Sequence, residues 1–333
     1  MNYKNKRFLI TGACGTIGSE ILKNLLSMEA TVCAFDISEN GLFNLQKKFQ
    51  SKYKNNLKIF LGCIRNFDRL SKAMNKVDYV IHCAALKHVE IAEYNTFESV
   101  LTNIKGVQNV IDTALLNNVK KVLFVSSDKS VNPSGVMGTT KLMGEKLITS
   151  ANNYAGDKIT KFSSVRFGNV LNSSGSVLEV FKKQLEKKKP LTITSKKMTR
   201  YFITIEQAIK LCFFSLNEMV GGEIFIRKMD SFDVLSLAKA ISKDKNQKII
   251  FTKPGIGEKL YEELVTENEC LRTIIFKLHY VIMPEISRNN LLMYNKIFNK
   301  YNHLKKIKEI YRSDKNLLSL KKIRFFLKKE KLI

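Results

Sequence analysis

The sequence predicts an α/β protein built on a doubly wound parallel sheet, followed by a smaller, mostly helical substrate lobe. Three observations carry that expectation. Short β-branched runs alternate with amphipathic helical stretches from residue 7 to residue 125, the order that produces crossover connections and parallel strands. A glycine-rich turn, Gly12-Ala-Cys-Gly15-Thr-Ile-Gly18, follows the first of those runs and opens a helix. Near the middle of the chain, the apolar run 122–125 stops in Ser126-Ser127-Asp128-Lys129 and turns through Pro133 and Gly135 into another helix. Polar side chains then stand at the carboxyl end of a buried strand, where open α/β sheets bind their ligands.

Taken in order, residues 7–11 read as the first strand, 17–28 as an amphipathic helix and 31–35 as a second strand ending in Asp36. Glycines in the turn let backbone N–H groups approach a pyrophosphate, which a helix N-terminus stabilises. The turn alone is a weak signal; Asp36, eighteen residues beyond Gly18, strengthens it. A carboxylate there can bind both ribose hydroxyls of NAD and repels a 2′-phosphate, and no Arg or Lys follows at 37–40, so NAD is expected over NADP. Strand three spans 58–61, a helix 68–75, and strand four 78–82. Strand four runs into Cys83-Ala84-Ala85-Leu86-Lys87-His88, small residues beside which a cofactor can lie, then a basic pair. For His88 a structural or phosphate-binding role is expected ahead of a catalytic one, because nothing in the sequence designates a partner for it. Asn103 interrupts a helical pattern that does not favour it; a bond from its side chain to backbone or water near the site would account for it.

Residues 162–166 read as a strand, 176–189 as a basic amphipathic helix, 204–216 as a helix returning to the sheet and 223–226 as another strand. The expected division is a dinucleotide-binding domain of residues 1–170 and 203–228, and a lobe of 171–202 and 229–333. The lobe ends in 317–331, whose apolar positions recur at helical spacing beneath many lysines. Such a stripe packs on its own domain more often than on a membrane, with peripheral membrane contact left open.

The net charge is +26, yet only 10 of the 56 basic residues are Arg. Specific readout of nucleic acid leans on bidentate and stacked Arg, so no specific nucleic-acid partner is expected and a general lysine-rich composition is the simpler account. The six cysteines form no C-x-x-C pair and read as small buried hydrophobes in a reducing compartment. No signal-peptide pattern precedes 8–11, and no apolar run reaches bilayer length. A soluble, cytoplasmic protein is expected. The chain shows no metal-ligand spacing.

Met137, Thr140, Lys141 and Gly144 sit three or four residues apart, so Met137 and Lys141 share a helix face that looks back at Asp128 and Lys129. A hydroxyl, a carboxylic acid and two lysines then meet in one place. The plain alternative is a solvated helix N-terminus carrying ordinary surface charges.

With these residues in view, the chain resembles the extended short-chain dehydrogenase/reductases, which have the Rossmann fold, and within them the soluble nucleotide-sugar 4,6-dehydratases of bacterial surface-glycan pathways. The resemblance rests on TGACGTIG at 11–18, AALKHVEIAEYN at 84–95, TNIKG at 102–106, SSDKSVNPSGVMGTTK at 126–141, VRFGNVLNSSGSV at 165–177, MTRYFITIEQA at 198–208 and GEKLYEEL at 257–264. It implies Ser127 as the hydroxyl near the sugar, Asp128 as acid, Lys129 as base and Lys141 on the nicotinamide ribose. It implies cofactor contacts from Gly12, Gly15, Thr16, Ile17, Gly18, Asp36, Ser38, Cys63, Ile64, Ala84, Ala85, Lys87, Asn103 and Lys141. Nucleotide-sugar contacts would come from Lys87, His88, Asn169, Ser176, Arg200 and Glu258, in a homo-oligomer.

Four positions depart from the family pattern. Met137 stands where a tyrosine is usual, as in a methionine-bearing subgroup of these dehydratases, and a thioether cannot accept a proton. Cys63 replaces a common Asp, Ser174 a usual Arg, and Lys253-Pro-Gly-Ile-Gly257 an Arg-Pro-Gly loop. The resemblance implies UDP-N-acetylglucosamine, or a GDP analogue, converted to a 4-keto-6-deoxy sugar by internal redox. That chemistry needs Asp128 protonated and Lys129 neutral, and the nearby Lys141 cation with partial burial is expected to lower the Lys129 pKa. The competing expectations are a 4-epimerase and a catalytically silent dinucleotide-binding sensor.

Overall fold

The computed structural model describes residues 2–155, 159–173, 175–242, 247–285 and 291–333. At its centre stands a nine-stranded sheet in the order Thr273–Phe276, His279–Ile282, Ile224–Arg227, Lys161–Arg166, Lys121–Val125, Tyr79–His82, Arg7–Thr11, Thr31–Asp36, Leu57–Leu61. The seven strands from Ile224–Arg227 onward run parallel, and the first two complete the other edge antiparallel. All seven parallel strands fall within one residue of the bounds read from sequence. After Arg7–Thr11 the chain steps outward twice, then returns to lay Tyr79–His82 against the other side of that first strand. The crevice at the carboxyl ends of strands beside such a reversal is the ligand-binding place of this architecture.

Successive strand residues face opposite layers. Phe8 and Ile10 pack with Leu25, Leu211 and Leu216 on one side, whereas Leu9, Val80, Val122 and Phe124 pack with Leu70, Val110 and Ile148 on the other. Helices cover both faces, so inner strands such as Tyr79–His82 and Lys121–Val125 are apolar along most of their length instead of alternating, as buried parallel strands are. Gly12 has φ +68°, and a Cβ there would lie 2.7 Å from the Ala84 backbone nitrogen; at Gly18 a Cβ would lie 2.2 Å from Gly12 O. Glycine at these two places lets the turn pass directly over residues 83–84 and lets the Thr16–Ser27 helix pack onto the turn.

The second lobe has its own core of Leu178, Phe181, Leu191, Ile193, Phe202, Phe232, Leu237, Ile323 and Leu327. Its frame is a three-stranded sheet of Asp230–Asp233, Thr199–Ile203 and Asn169–Val170, with a parallel pair Leu191–Ile193 and Ile249–Phe251. The C-terminal Leu320–Lys329 helix buries Ile323 and Leu327 fully in that core, and Phe326 meets Phe232 edge-on at 5.8 Å. The apolar stripe of the tail thus packs on its own domain.

Two expectations about the lobe need correction. Within 229–333 the described residues hold six short strands beside four helices, so this region is much less helical than its pattern suggests. Residues 273–282 also do not belong to the lobe: they form a hairpin that extends the main sheet through His279–Ile282 on Ile224–Arg227. Two β-branched runs, Thr-Ile-Ile-Phe and His-Tyr-Val-Ile, are joined by Lys277-Leu278, with Lys277 at φ 57°. A two-residue hairpin turn normally advertises itself by Asn or Gly, and this one carries neither.

Candidate active site

A cleft of about 990 Å³ opens at the carboxyl ends of the central strands. One end is lined by Gly12, Gly15, Thr16, Ile17, Gly18, Asp36, Ser38, Cys63, Ile64, Ala84 and Ala85. Gly15 occupies the cap position of the Thr16–Ser27 helix, and no side chain caps that N-terminus. Asp36 accepts hydrogen bonds from the Cys14 and Ser38 backbone N–H groups, each at 2.9 Å, which fixes its carboxylate at the strand end. Burial, followed by the Asp36 charge, pushes the adjacent Cys14 thiol up to about 12. A close-approach glycine turn, a helix N-terminus and a fixed carboxylate on the next strand fit a dinucleotide. Cys63 receives the Arg65 Nε–H at 3.3 Å, and Arg65 pairs with Glu98 at 2.6 Å.

The other end of the cleft is built by the Lys121–Val125 strand and the turn after it. Ser127 Oγ donates to Asp128 Oδ1 at 2.8 Å and accepts the Lys129 backbone N–H at 3.2 Å. Lys129 Nζ lies 3.1 Å from the same Asp128 oxygen. Asp128 is 1% exposed, and its Oδ2 is buried without a hydrogen-bond partner. From the Val136–Tyr154 helix, Lys141 donates to Val125 O at 3.0 Å and its Nζ stands 4.6 Å from the centroid of the Phe124 ring. Burial lowers the Lys141 pKa to about 8. Met137, one turn earlier, is buried and lines the cleft with Lys141.

A buried clamp holds this turn in place. Arg166, 1% exposed at the end of its strand, donates to Glu145 at 2.7–3.1 Å and to Glu269 at 2.8 and 2.9 Å. Glu145 also receives the Ser130 hydroxyl at 2.9 Å, and Ser130 Oγ lies 2.7 Å from Ser127 O. Burial acts to lower the Arg166 pKa, but the two carboxylates outweigh it and hold the guanidinium charged. Asn103, in the π-helical turn Leu101–Lys105, accepts from Leu86 N and donates to Leu86 O and Thr140 Oγ1 at 2.9–3.0 Å. It ties the 83–88 loop to the lysine-bearing helix, the backbone bonding that its position in the sequence called for, and it does not line the cleft.

The remaining sequence-read residues divide. Lys87, His88 and Asn169 line the cleft, and Asn169 Oδ1 is buried without a partner. Ser176 caps the Val177–Glu186 helix through Glu179 N, and Glu258 is exposed and accepts from Gly255 N at 3.0 Å; neither lines the cleft. Arg200 is 7% exposed, donates to Thr199 O at 2.8 Å and lies 3.6 Å from Glu262, behind the lining. Ser174 lies outside the described residues.

Glu262 is the residue that sequence reasoning passed over. It is 2% exposed, and its Oε1 lies 3.4 Å from Lys129 Nζ. The expected lowering of the Lys129 pKa is therefore corrected. Burial does act to lower it, but the charges of Asp128 and Glu262 outweigh burial and the opposing Arg200, and the net direction is upward. The signal was present in Glu258, Glu262 and Glu263 of one short run.

A reversing parallel sheet, a glycine turn feeding a helix, and a lysine one helical turn beyond the residue facing the Asp-Lys pair are the marks of the extended short-chain dehydrogenase/reductases. Within that class the chain belongs to the polysaccharide biosynthesis protein family, matched over residues 8–284. It is 42% identical to an uncharacterised membrane protein of Methanocaldococcus jannaschii, over 92% of this chain and 96% of the relative. It is 41% identical to the inverting UDP-N-acetylglucosamine 4,6-dehydratase of Campylobacter jejuni, over 85% and 84%. A UDP-glucose 4-epimerase of Rickettsia bellii is 36% identical over 81% and 80%. Among solved structures, that of Pen from Bacillus thuringiensis superposes with a TM-score of 0.91 at 38% identity and covers both chains fully. Among the described residues no helix is long and apolar enough to cross a membrane.

Proposed function

We propose that this chain is a nucleotide-sugar 4,6-dehydratase that acts on UDP-N-acetylglucosamine, or a GDP analogue, with NAD. The observation that carries the reading is the Asp128-Lys129 pair, a buried carboxylate against a half-buried ammonium, which lines one cleft together with Lys141. An epimerase needs no acid for a leaving C6 hydroxyl, whereas a dehydratase needs an acid and a base side by side. The likeness to the Campylobacter jejuni dehydratase supports it. When bound, NAD would take the C4 hydride and return it to C6.

The residues of the chain supply the proton chemistry. Lys129 removes the C5 proton that the 4-keto group acidifies and gives it back to C5 as hydride reaches C6, and Asp128 delivers a proton to the departing C6 hydroxyl. Met137 takes no proton, so the 4-hydroxyl proton passes to Asp128 or to water positioned by Lys141. Gly12, Gly15, Thr16, Ile17 and Gly18 would hold the pyrophosphate, and Asp36 the adenosine ribose, which favours NAD over NADP. Lys87, His88 and Asn169 would meet the nucleotide sugar.

A second reading, UDP-N-acetylhexosamine 4-epimerase, is favoured by the likeness to the Rickettsia bellii epimerase. Incubation with UDP- and GDP-N-acetylglucosamine followed by mass measurement separates the two. Loss of one water supports dehydration; an unchanged mass with altered stereochemistry establishes epimerisation; an unaltered substrate defeats both.

A further inference from the structure

We infer that Glu262 is the positioning residue that sets the charge of Lys129, holding its ammonium from behind while Asp128 holds it from the side. The inference rests on the dehydratase reading for its kinetic consequence and on geometry for the rest. Glu262 Oε1 lies 3.4 Å from Lys129 Nζ and 3.6 Å from Arg200 Nε, and Oε2 lies 3.9 Å from Lys259 Nζ without a hydrogen-bond partner. Its backbone N–H donates to Ser313 Oγ at 2.9 Å, and that hydroxyl also contacts Thr199 Oγ1 at 2.9 Å, so the lobe fixes its place. Glu262 does not line the cleft, so it reaches substrate only through Lys129.

Asp128 and Glu262 raise the Lys129 pKa, and Arg200 lowers it. Lys259, held to Val131 O at 2.6 Å, is itself lowered, first by burial, against the raising charges of Glu262, Asp128 and Glu263. Glu263 pairs with Asn132, and Tyr201 borders Asp128 with its phenol pushed far up by burial. Two buried carboxylates thus face one lysine, and Asp128 is already committed as the acid. Glu262 is the partner whose removal changes the Lys129 charge without removing a group that touches the sugar.

The base must be neutral to remove the C5 proton, so the acid limb of kcat/KM reports the loss of the Lys129 proton. Glu262→Gln keeps the shape of the side chain and removes its charge. It should move that limb down by about one pH unit or more, a tenfold change in the neutral fraction. Glu262→Asp should restore most of the shift, and Arg200→Gln should move the limb upward. Rates of Lys129 acetylation by acetic anhydride against pH, read by peptide mass mapping, give the same midpoint without turnover. A labelling midpoint that moves in Glu262→Gln sustains the inference even if UDP-N-acetylglucosamine is never dehydrated, in which case the functional reading alone falls. An unmoved labelling midpoint in a folded Glu262→Gln protein, or an uncharged variant whose activity drops equally at every pH, overturns it.

Discussion

His82 should make the protein acid-labile by a calculable amount. The Thr11 hydroxyl accepts the Ala84 N–H at 3.3 Å and shares a hydrogen bond of 2.5 Å with His82 Nδ1. The ring is fully buried, stacked on Phe124 at 5.6 Å, and its Nε2 meets no partner. Protonation would place a fully buried positive charge near the Lys141 ammonium. Burial, with the Lys141 charge second, accordingly lowers the His82 pKa to about 3. The unfolded chain binds this proton near pH 6.5 and the folded chain does not, so the stabilising contribution is complete above pH 6.5 and declines as pH falls toward 3. Each unit in that window is worth about 1.4 kcal/mol, so at pH 4.5 the loss owed to His82 is about 2.7 kcal/mol. Urea unfolding of the parent and of His82→Asn at pH 7, 5.5 and 4.5 isolates it, since carboxylate effects are common to both. The variant should begin less stable, for lost stacking and packing, and close the gap as pH falls. Parallel pH dependences in the two proteins would refute the reasoning.

Four further outcomes follow from the site. Arg166→Met strands Glu145 and Glu269 in the interior and should cost about 3–5 kcal/mol in urea unfolding, whereas loss of a surface ion pair would cost under about 1. Asp36→Asn should weaken NAD binding by about tenfold, or about 1.4 kcal/mol, and narrow the preference over NADP, as read by fluorescence titration. Lys129→Ala should lower turnover by about 10²–10⁴-fold with NAD affinity intact, since the side chain lines the end of the cleft away from the glycine turn. Met137→Leu, an apolar exchange of similar volume, should keep turnover within a few-fold in the same assay; a dead variant would mean that the thioether itself takes part.

The parallel sheet was legible because its inner strands are buried on both faces. Burial forces a continuous apolar, β-branched run such as 122–125, and the crossover helices between runs show a second periodicity. The lobe was not legible for the complementary reason. Asn169–Val170 is a strand only because it pairs with Phe202 and Ile203, more than thirty residues away, and Leu191–Ile193 needs Ile249–Phe251. Strands of two or three residues held by distant partners leave no local pattern. The 273–282 hairpin had the composition but hid its turn, because Lys277 adopts a positive φ that sequence assigns to Asn or Gly.

The site divides along the same line. Asp128 and Lys129 were legible because their position at a strand end is a local property. The charge of Lys129 was not, because it is a sum over space. Along the chain the nearest cation to count was Lys141, which argued for a lowered pKa; in the fold Lys141 turns to Val125 O, and a carboxylate 133 residues away comes to 3.4 Å. The run that supplies that carboxylate offered three equivalent choices. Backbone direction separates them: Glu258 takes the turn at Gly255 N, Glu263 takes Asn132, and Glu262, fixed at its N–H by Ser313, turns to the lysine. What decides which glutamate bears on the chemistry is thus a hydrogen bond from the backbone of the lobe. A side chain in the lobe thereby bears on the charge of a lysine borne by the sheet.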